Sequence, residues 1–127
     1  MAGEKILLIE DNAVNRDLTE FLLESQGYQV REAVSAEEAF GLLKSERPDL
    51  IVMDIQLPGM DGLEALRRLK ENPLTRNIPV VAVTSYAMKG DRESAAAAGC
   101  AGYVTKPIDK TIFLREIAAH LSTRATI

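Results

Sequence analysis

Four apolar runs in this chain each stop at a residue that can do chemistry. Lys5-Ile6-Leu7-Leu8-Ile9 stops at Glu10-Asp11, Leu50-Ile51-Val52-Met53 at Asp54, Pro79-Val80-Val81-Ala82-Val83 at Thr84, and Gly102-Tyr103-Val104-Thr105 at Lys106. If the runs are neighbouring parallel strands, three carboxylates, a hydroxyl and an amine meet at one sheet edge. Such a cluster of acids repels itself, so a cation belongs there. Asp54, ending a central strand, reads as a fixed and exposed carboxylate able to attack phosphorus. Glu10 and Asp11 supply what Mg²⁺ prefers, one or two carboxylates completed by waters and phosphate oxygens. Lys106 offers a compact ammonium to a phosphoryl oxygen, and Thr84 a hydroxyl donor. Phosphoryl transfer asks a protein mainly for positioning and for neutralising charge on the equatorial oxygens.

Each of these residues has an ordinary reading when taken alone. Asp54 could be a turn former or helix cap. Glu10-Asp11 could be acidic charge at the start of the first helix, favoured by its dipole. Thr84 could be a plain strand-end threonine, and Lys106 a solvated surface lysine. Their coincidence at four separate strand ends favours a site.

The elements that must position them alternate along the chain. Val14, Leu18, Phe21 and Leu22 fall at i, i+4, i+7 and i+8, one helix face that stops at Gly27. Tyr28 to Ala33 is more polar and suits an edge strand. Ser35 with Glu38 spells a capping box, followed by the apolar face Ala36, Ala39, Phe40 and Leu43. Gly41 weakens that helix pattern, though it could simply allow close packing. The run before Asp54 is apolar on both faces, as in a central parallel strand. Asp61 is predicted to cap a helix bearing Leu63, Leu66 and Leu69, closed before Pro73. The stretch from Lys89 to Ala98 is helical with Gly99 as its stop. Asp109 caps a closing helix with Leu114, Ile117, Ala118 and Leu121 on one face, and a short polar tail runs from Ser122. Alternating βα units with right-handed crossovers build a parallel sheet covered by helices on both faces. Ligands then bind at the carboxyl ends of the strands, at the topological switch point. Lys106-Pro107 is expected to be cis, since cis peptides are largely confined to X-Pro bonds.

Bulk properties narrow the classes. At 127 residues, 46% hydrophobic and 27% charged, the chain reads as one domain with a real core. A net charge of −4 argues against nucleic acid or an anionic membrane as partner, since both want a basic surface. Cys100 stands alone, so no intrachain disulfide can form, which fits a reducing cytoplasm. The N-terminus enters a strand within a few residues and leaves no room for a signal peptide. No apolar run is long enough to span a bilayer.

These stretches, together with Ile9-Glu10-Asp11-Asn12 and the segment from Asp49 to Gly62, resemble the receiver domain of bacterial two-component response regulators. The resemblance runs from Lys5 to about Leu121. It implies a (βα)5 doubly wound fold with strand order 2-1-3-4-5 and Asp54 as phosphoacceptor. It also implies Asp11, Asp54 and the backbone carbonyl of Gln56 as direct Mg²⁺ ligands, with Glu10 acting through water. Thr84 and Tyr103 correspond to the family's switch pair. Asp11-Asn12-Ala13-Val14-Asn15 and Ala87-Met88-Lys89-Gly90-Asp91 look like the DivK-type single-domain regulators and the receivers of hybrid histidine kinases. The implied donor is a histidine kinase or histidine phosphotransferase docking near Ala13, Val14, Asn15 and Arg16. The implied output is a protein contact, through the fourth helix, fifth strand and fifth helix, by a monomer or weak dimer. A receiver excised from a hybrid kinase is the alternative.

Competing classes fare worse. Aspartate-nucleophile phosphatases of the haloacid dehalogenase type carry a second Asp two residues after the nucleophile as general acid; here that position is Gln56, which cannot shuttle a proton. No G-x-x-x-x-G-K-[ST] is present, which excludes a P-loop enzyme. A phosphorylation-independent binding module would carry facing carboxylates as a pure electrostatic cost. The chain therefore reads as a switch rather than an enzyme with turnover. Gln56 and Tyr86 each lie two residues beyond a site residue, and Tyr86 is expected to shield the acyl phosphate from water. His120, near the end of the closing helix, suits the helix dipole and lacks the helical bundle of a phosphotransfer histidine.

Overall fold

The structure, a computed structural model, describes residues 3–56, 62–85 and 89–125, with side chains left out at 89–92 and 122–125. Strands and helices alternate: β1 Lys5–Ile9, α1 Ala13–Glu24, β2 Gln29–Ala33, α2 Ala36–Leu43, β3 Leu50–Asp54, α3 Gly62–Glu71, β4 Val80–Thr84, α4 Lys89–Ala98, β5 Gly102–Thr105 and α5 Lys110–Ala125. The strands form one parallel sheet in the order β2-β1-β3-β4-β5, as the resemblance implies.

Period-2 alternation sorts the strand side chains onto two faces. Ile6, Leu8, Leu50, Val52, Val81, Val83 and Val104 pack with Leu22 and Leu23 of α1 and with Phe113, Ile117 and Leu121 of α5. Leu7, Ile9, Ile51, Met53 and Val80 pack with α2 and α3 on the other face, where Ala98 and Cys100 also lie. All five residues of β3 and of β4 are buried, whereas β2 at the edge is mixed.

Caps set the helix starts. Asn12 Oδ1 accepts from Asn15 N at 2.9 Å, Ser35 Oγ from Glu38 N at 3.1 Å, and Asp109 Oδ1 from Ile112 N at 3.0 Å. Glu38 returns a bond to the N–H of Val34 at 3.0 Å rather than to the cap residue itself. Gly27 and Gly99 follow their helices at φ 88° and 107°, a region other residues seldom enter. The expected cap at Asp61 lies outside the described residues.

Four expectations about the helices are corrected. Val14, Leu18 and Phe21 of α1 are 75%, 52% and 68% exposed, and the buried face is Thr19, Leu22 and Leu23. Thr19 can turn inward because its hydroxyl donates to Asn15 O at 2.7 Å, which removes the cost of burying it. In α5 the core face is Phe113, Ile117 and Leu121; Leu114 is half-buried and Ala118 exposed. That helix runs to Ala125, through the residues expected to be a tail. Gly41 touches nothing within 4 Å of a Cβ, so close packing does not explain it.

Candidate functional site

Parallel register brings the strand ends level. Ile9 pairs with Met53, Asp54 with Val83, and Thr84 with Thr105. Glu10 and Asp54 therefore leave β1 and β3 side by side, and Lys106 follows β5 at the same edge. The chain leaves β1 toward β2 and returns to β3 on its other side, so this is the topological switch point.

Lys106, from the far edge of the sheet, reaches across to both acids. Its Nζ lies 2.9 Å from Asp54 Oδ2 and 3.2 Å from Glu10 Oε1. The remaining oxygens are also held: Asp54 Oδ1 accepts from Gln56 N at 2.8 Å, and Glu10 Oε2 from Asn12 N at 3.1 Å. Glu10 and Asp54 are each only 4% exposed, so the expected exposed carboxylate at Asp54 is corrected to a buried one. Asp11 is exposed, and its carboxylate comes within 4.8 Å of those of Glu10 and Asp54. Burial, reinforced by the charge of Asp54, raises the Glu10 carboxyl above its ordinary value, against the opposing pull of Asn12 N–H and Lys106. Burial would lower the Lys106 ammonium, but its bond to Asp54 and the charges of Asp54 and Glu10 carry it upward instead.

Thr84 is buried at the end of β4. Ala82 pairs with Tyr103 and Thr84 with Thr105, so by alternation Thr84 and the half-buried Tyr103 belong to one sheet face. Gln56 does more than its sequence position announced: its Oε1 accepts from Ser85 N at 2.9 Å. Arg16 has a positioning role that sequence alone did not reveal. Its Nη1 donates to Glu10 O at 3.0 Å and Asp11 O at 3.3 Å, clamping the loop after β1 to α1. The Lys106-Pro107 peptide is cis, as expected. Tyr86 and the segment from Leu57 to Asp61 lie outside the described residues.

Two other features are less apt for this chemistry. Asp17, Glu20 and Glu32 form a second acidic cluster on the α1–β2 flank, where no residue is buried as a whole, in contrast to Glu10 and Asp54. A cavity of about 380 Å³ opens at the amino ends of β1 and β2, where Arg31 pairs with Glu46 at 3.3 Å. It lies at the opposite end of the strands from Glu10, Asp11 and Asp54.

A doubly wound sheet with clustered acids and a lysine at its switch point defines a class of phosphate- and metal-handling domains. The response regulator receiver domain profile matches residues 6–118. The polar-differentiation response regulator DivK of Brucella anthropi is 42% identical over 118 residues, covering 93% of this chain and 96% of that protein. Among solved structures, the receiver domain of a sensor histidine kinase from Pseudomonas aeruginosa PAO1, with a magnesium ion coordinated in its active-site cleft, is 36% identical with a TM-score of 0.87, covering 95% and 99% of the two chains. A CheY-like receiver domain protein from Methanospirillum hungatei JF-1 is 29% identical with a TM-score of 0.89, covering 98% of each. The chain belongs to the response regulator receiver domain family, and its function is that of a phosphorelay response regulator. The likeness extends both to regulators and to receivers carried by histidine kinases. No helix among the described residues is long and apolar enough to cross a membrane.

Magnesium, which receiver domains bind, suits the donors here. Octahedral coordination at about 2.0–2.1 Å places ligand oxygens roughly 3 to 4 Å apart, and carboxylate oxygens already within 4.8 Å need only small rotations to reach that spacing.

Proposed function

We propose that Asp54 accepts a phosphoryl group from a phosphohistidine and that the domain switches its protein contacts in response. The observation that carries this reading is the Lys106 ammonium shared between Asp54 and Glu10 at 2.9 and 3.2 Å. It holds a counter-charge where a phosphoryl group would arrive. An Asp54 oxygen attacks phosphorus, the P–N bond breaks, and the imidazole nitrogen leaves with the bonding pair. The product is an acyl phosphate. Lys106 and the Thr84 hydroxyl take phosphoryl oxygens as new partners. Asp11, Asp54 and the Gln56 carbonyl would hold Mg²⁺, with Glu10 supporting it through water. When bound, the metal neutralises charge on the transferring group.

Thr84 and Tyr103 serve as the switch pair, coupling the site to the face made by α4, β5 and α5, where an output protein binds. The shift is limited by how much better the phosphoryl group binds one packing than the other. The donor, a histidine kinase or histidine phosphotransferase, docks on the exposed apolar stripe of α1. The domain catalyses its own phosphorylation and slow dephosphorylation and turns over no separate substrate. It works in the cytoplasm, where the lone thiol of Cys100 stays reduced, as a monomer or weak dimer. Carriage within a hybrid histidine kinase is supported by the likeness to the Pseudomonas kinase receiver.

The test is incubation with acetyl phosphate and Mg²⁺ followed by intact-mass measurement. One hydroxylamine-labile phosphoryl group is expected on the wild-type chain and none on Asp54→Asn. Equal labelling of the two would overturn the assignment.

A further inference from the structure

Two hydrogen bonds run through Gln56 in opposite directions. Its backbone N–H donates to Asp54 Oδ1 at 2.8 Å, while its side-chain Oε1 accepts from Ser85 N–H at 2.9 Å. Ser85 is the first residue beyond β4. At that end the ladder is occupied by Ile55 N–H on Val83 O at 2.9 Å and Lys106 N–H on Thr84 O at 2.7 Å. The Ser85 N–H lies past the ladder, and a side chain from the end of β3 holds it. Gln56 thus bridges the gap between the strand bearing Asp54 and the strand bearing Thr84.

A phosphoryl group on Asp54 brings three charged oxygens to this same corner. Each is a stronger acceptor than an amide carbonyl. We propose that the Gln56 side chain is a resident competitor for the Ser85 N–H, holding it while Asp54 is unmodified and yielding it to the phosphoryl group. Gln56 is then a positioning residue whose release uncouples the segment after β3 from the end of β4. This inference rests on Asp54 being the phosphoacceptor.

The competition has a readable size. A net hydrogen bond, here at an exposed position, weighs against phosphoryl binding by about two- to tenfold. Gln56→Met keeps the length of the side chain and removes the acceptor. The probe is beryllofluoride, a phosphoryl mimic, titrated in Mg²⁺ and followed by ¹H–¹⁵N spectra. In the unloaded protein the Ser85 amide proton should move upfield in Gln56→Met and return in Gln56→Glu, which restores an acceptor. In the loaded protein the Ser85 shift should be the same in wild type and Gln56→Met. Gln56→Met should bind beryllofluoride about two- to tenfold more tightly. Equal or weaker binding, or an unmoved Ser85 amide, would overturn the proposal. Wild type gives an independent check, because its Gln56 side-chain amide signals must shift on loading, and static signals count against the exchange. Asp54→Asn separates the two ideas. Wild-type binding by that variant would remove the phosphoacceptor reading and this inference with it, whereas the Ser85 shift in unloaded protein reports on Gln56 alone.

Discussion

The Lys106 ammonium stands between two carboxylates that are each 4% exposed, and its own side chain is 16% exposed. Removing one member of a buried charge set costs far more than the set contributes, because the remaining charges lose their compensation. Lys106→Met should therefore destabilise the metal-free protein by about 2–3 kcal/mol, somewhat below the range for fully buried pairs. Millimolar Mg²⁺ should recover part of that loss, since the cation replaces the missing charge and binds only the folded state. Urea unfolding in EDTA and in Mg²⁺ measures both, and an identical loss in the two buffers would mean that Lys106 does not share the metal's role. The identities of these residues were legible because strand ends are marked by abrupt loss of apolar character. Their burial was not. Whether an aspartate at a strand end is solvated depends on Lys106, 52 residues further along, and local patterning carries no sign of that. The Gln56–Ser85 bond and the Arg16 clamp escaped for the same reason.

Among the elements, helix faces were the least legible part of the fold. In α1 the period-3.6 pattern selected Val14, Leu18, Phe21 and Leu22, yet three of these are exposed and Thr19 is buried. Apolar periodicity registers hydrophobic faces but cannot tell a core from a surface stripe when a satisfied threonine substitutes for an apolar residue. In α5, Leu114 and Ala118 suggested a face one position away from the true line of Phe113, Ile117 and Leu121. Strands were legible because β1, β3 and β4 are apolar on both sides and bounded by polar residues. Glycines divide into two kinds by what surrounds them. A Cβ on Gly62 would lie 2.5 Å from Ile55 Cα and 2.7 Å from Ile55 C, where Gly62 N–H donates to Ile55 O at 3.1 Å. Backbone cannot give way there as a side-chain tip would. Gly62→Ala should cost at least about 1–3 kcal/mol and weaken Mg²⁺ binding, because Ile55-Gln56 adjoins Asp54. Gly41→Ala, in open space within α2, should instead stabilise by about 0.5–1 kcal/mol. Thermal unfolding of the pair reads this directly, and similar shifts for the two variants would contradict the packing argument.

At the scale of the molecule, the proposed chemistry and the proposed docking of the donor would occupy adjoining surfaces. The carboxyl edge holds the charged cluster, and α1 starts there with Asn12 as its cap. Down one side of that helix run Val14, Leu18 and Phe21, at 75%, 52% and 68% exposure. An apolar stripe beginning beside a reactive edge is poised for a partner that must reach the edge, and such patches on soluble proteins mark interaction sites. The stripe contributes little to folding, since the core side of α1 is Thr19, Leu22 and Leu23. Folding and docking can therefore be separated by substitution. The double variant Leu18→Gln, Phe21→Gln should retain stability within about 1 kcal/mol. Its labelling by acetyl phosphate, which needs only the edge, should match wild type. Transfer from a phosphorylated histidine phosphotransfer protein should slow by roughly tenfold or more, the usual consequence of removing central apolar anchors from an interface. Parallel time courses with the two donors supply the ratio. If the protein donor slows no more than the small one, the donor approaches from another side, and the stripe on α1 serves a different contact.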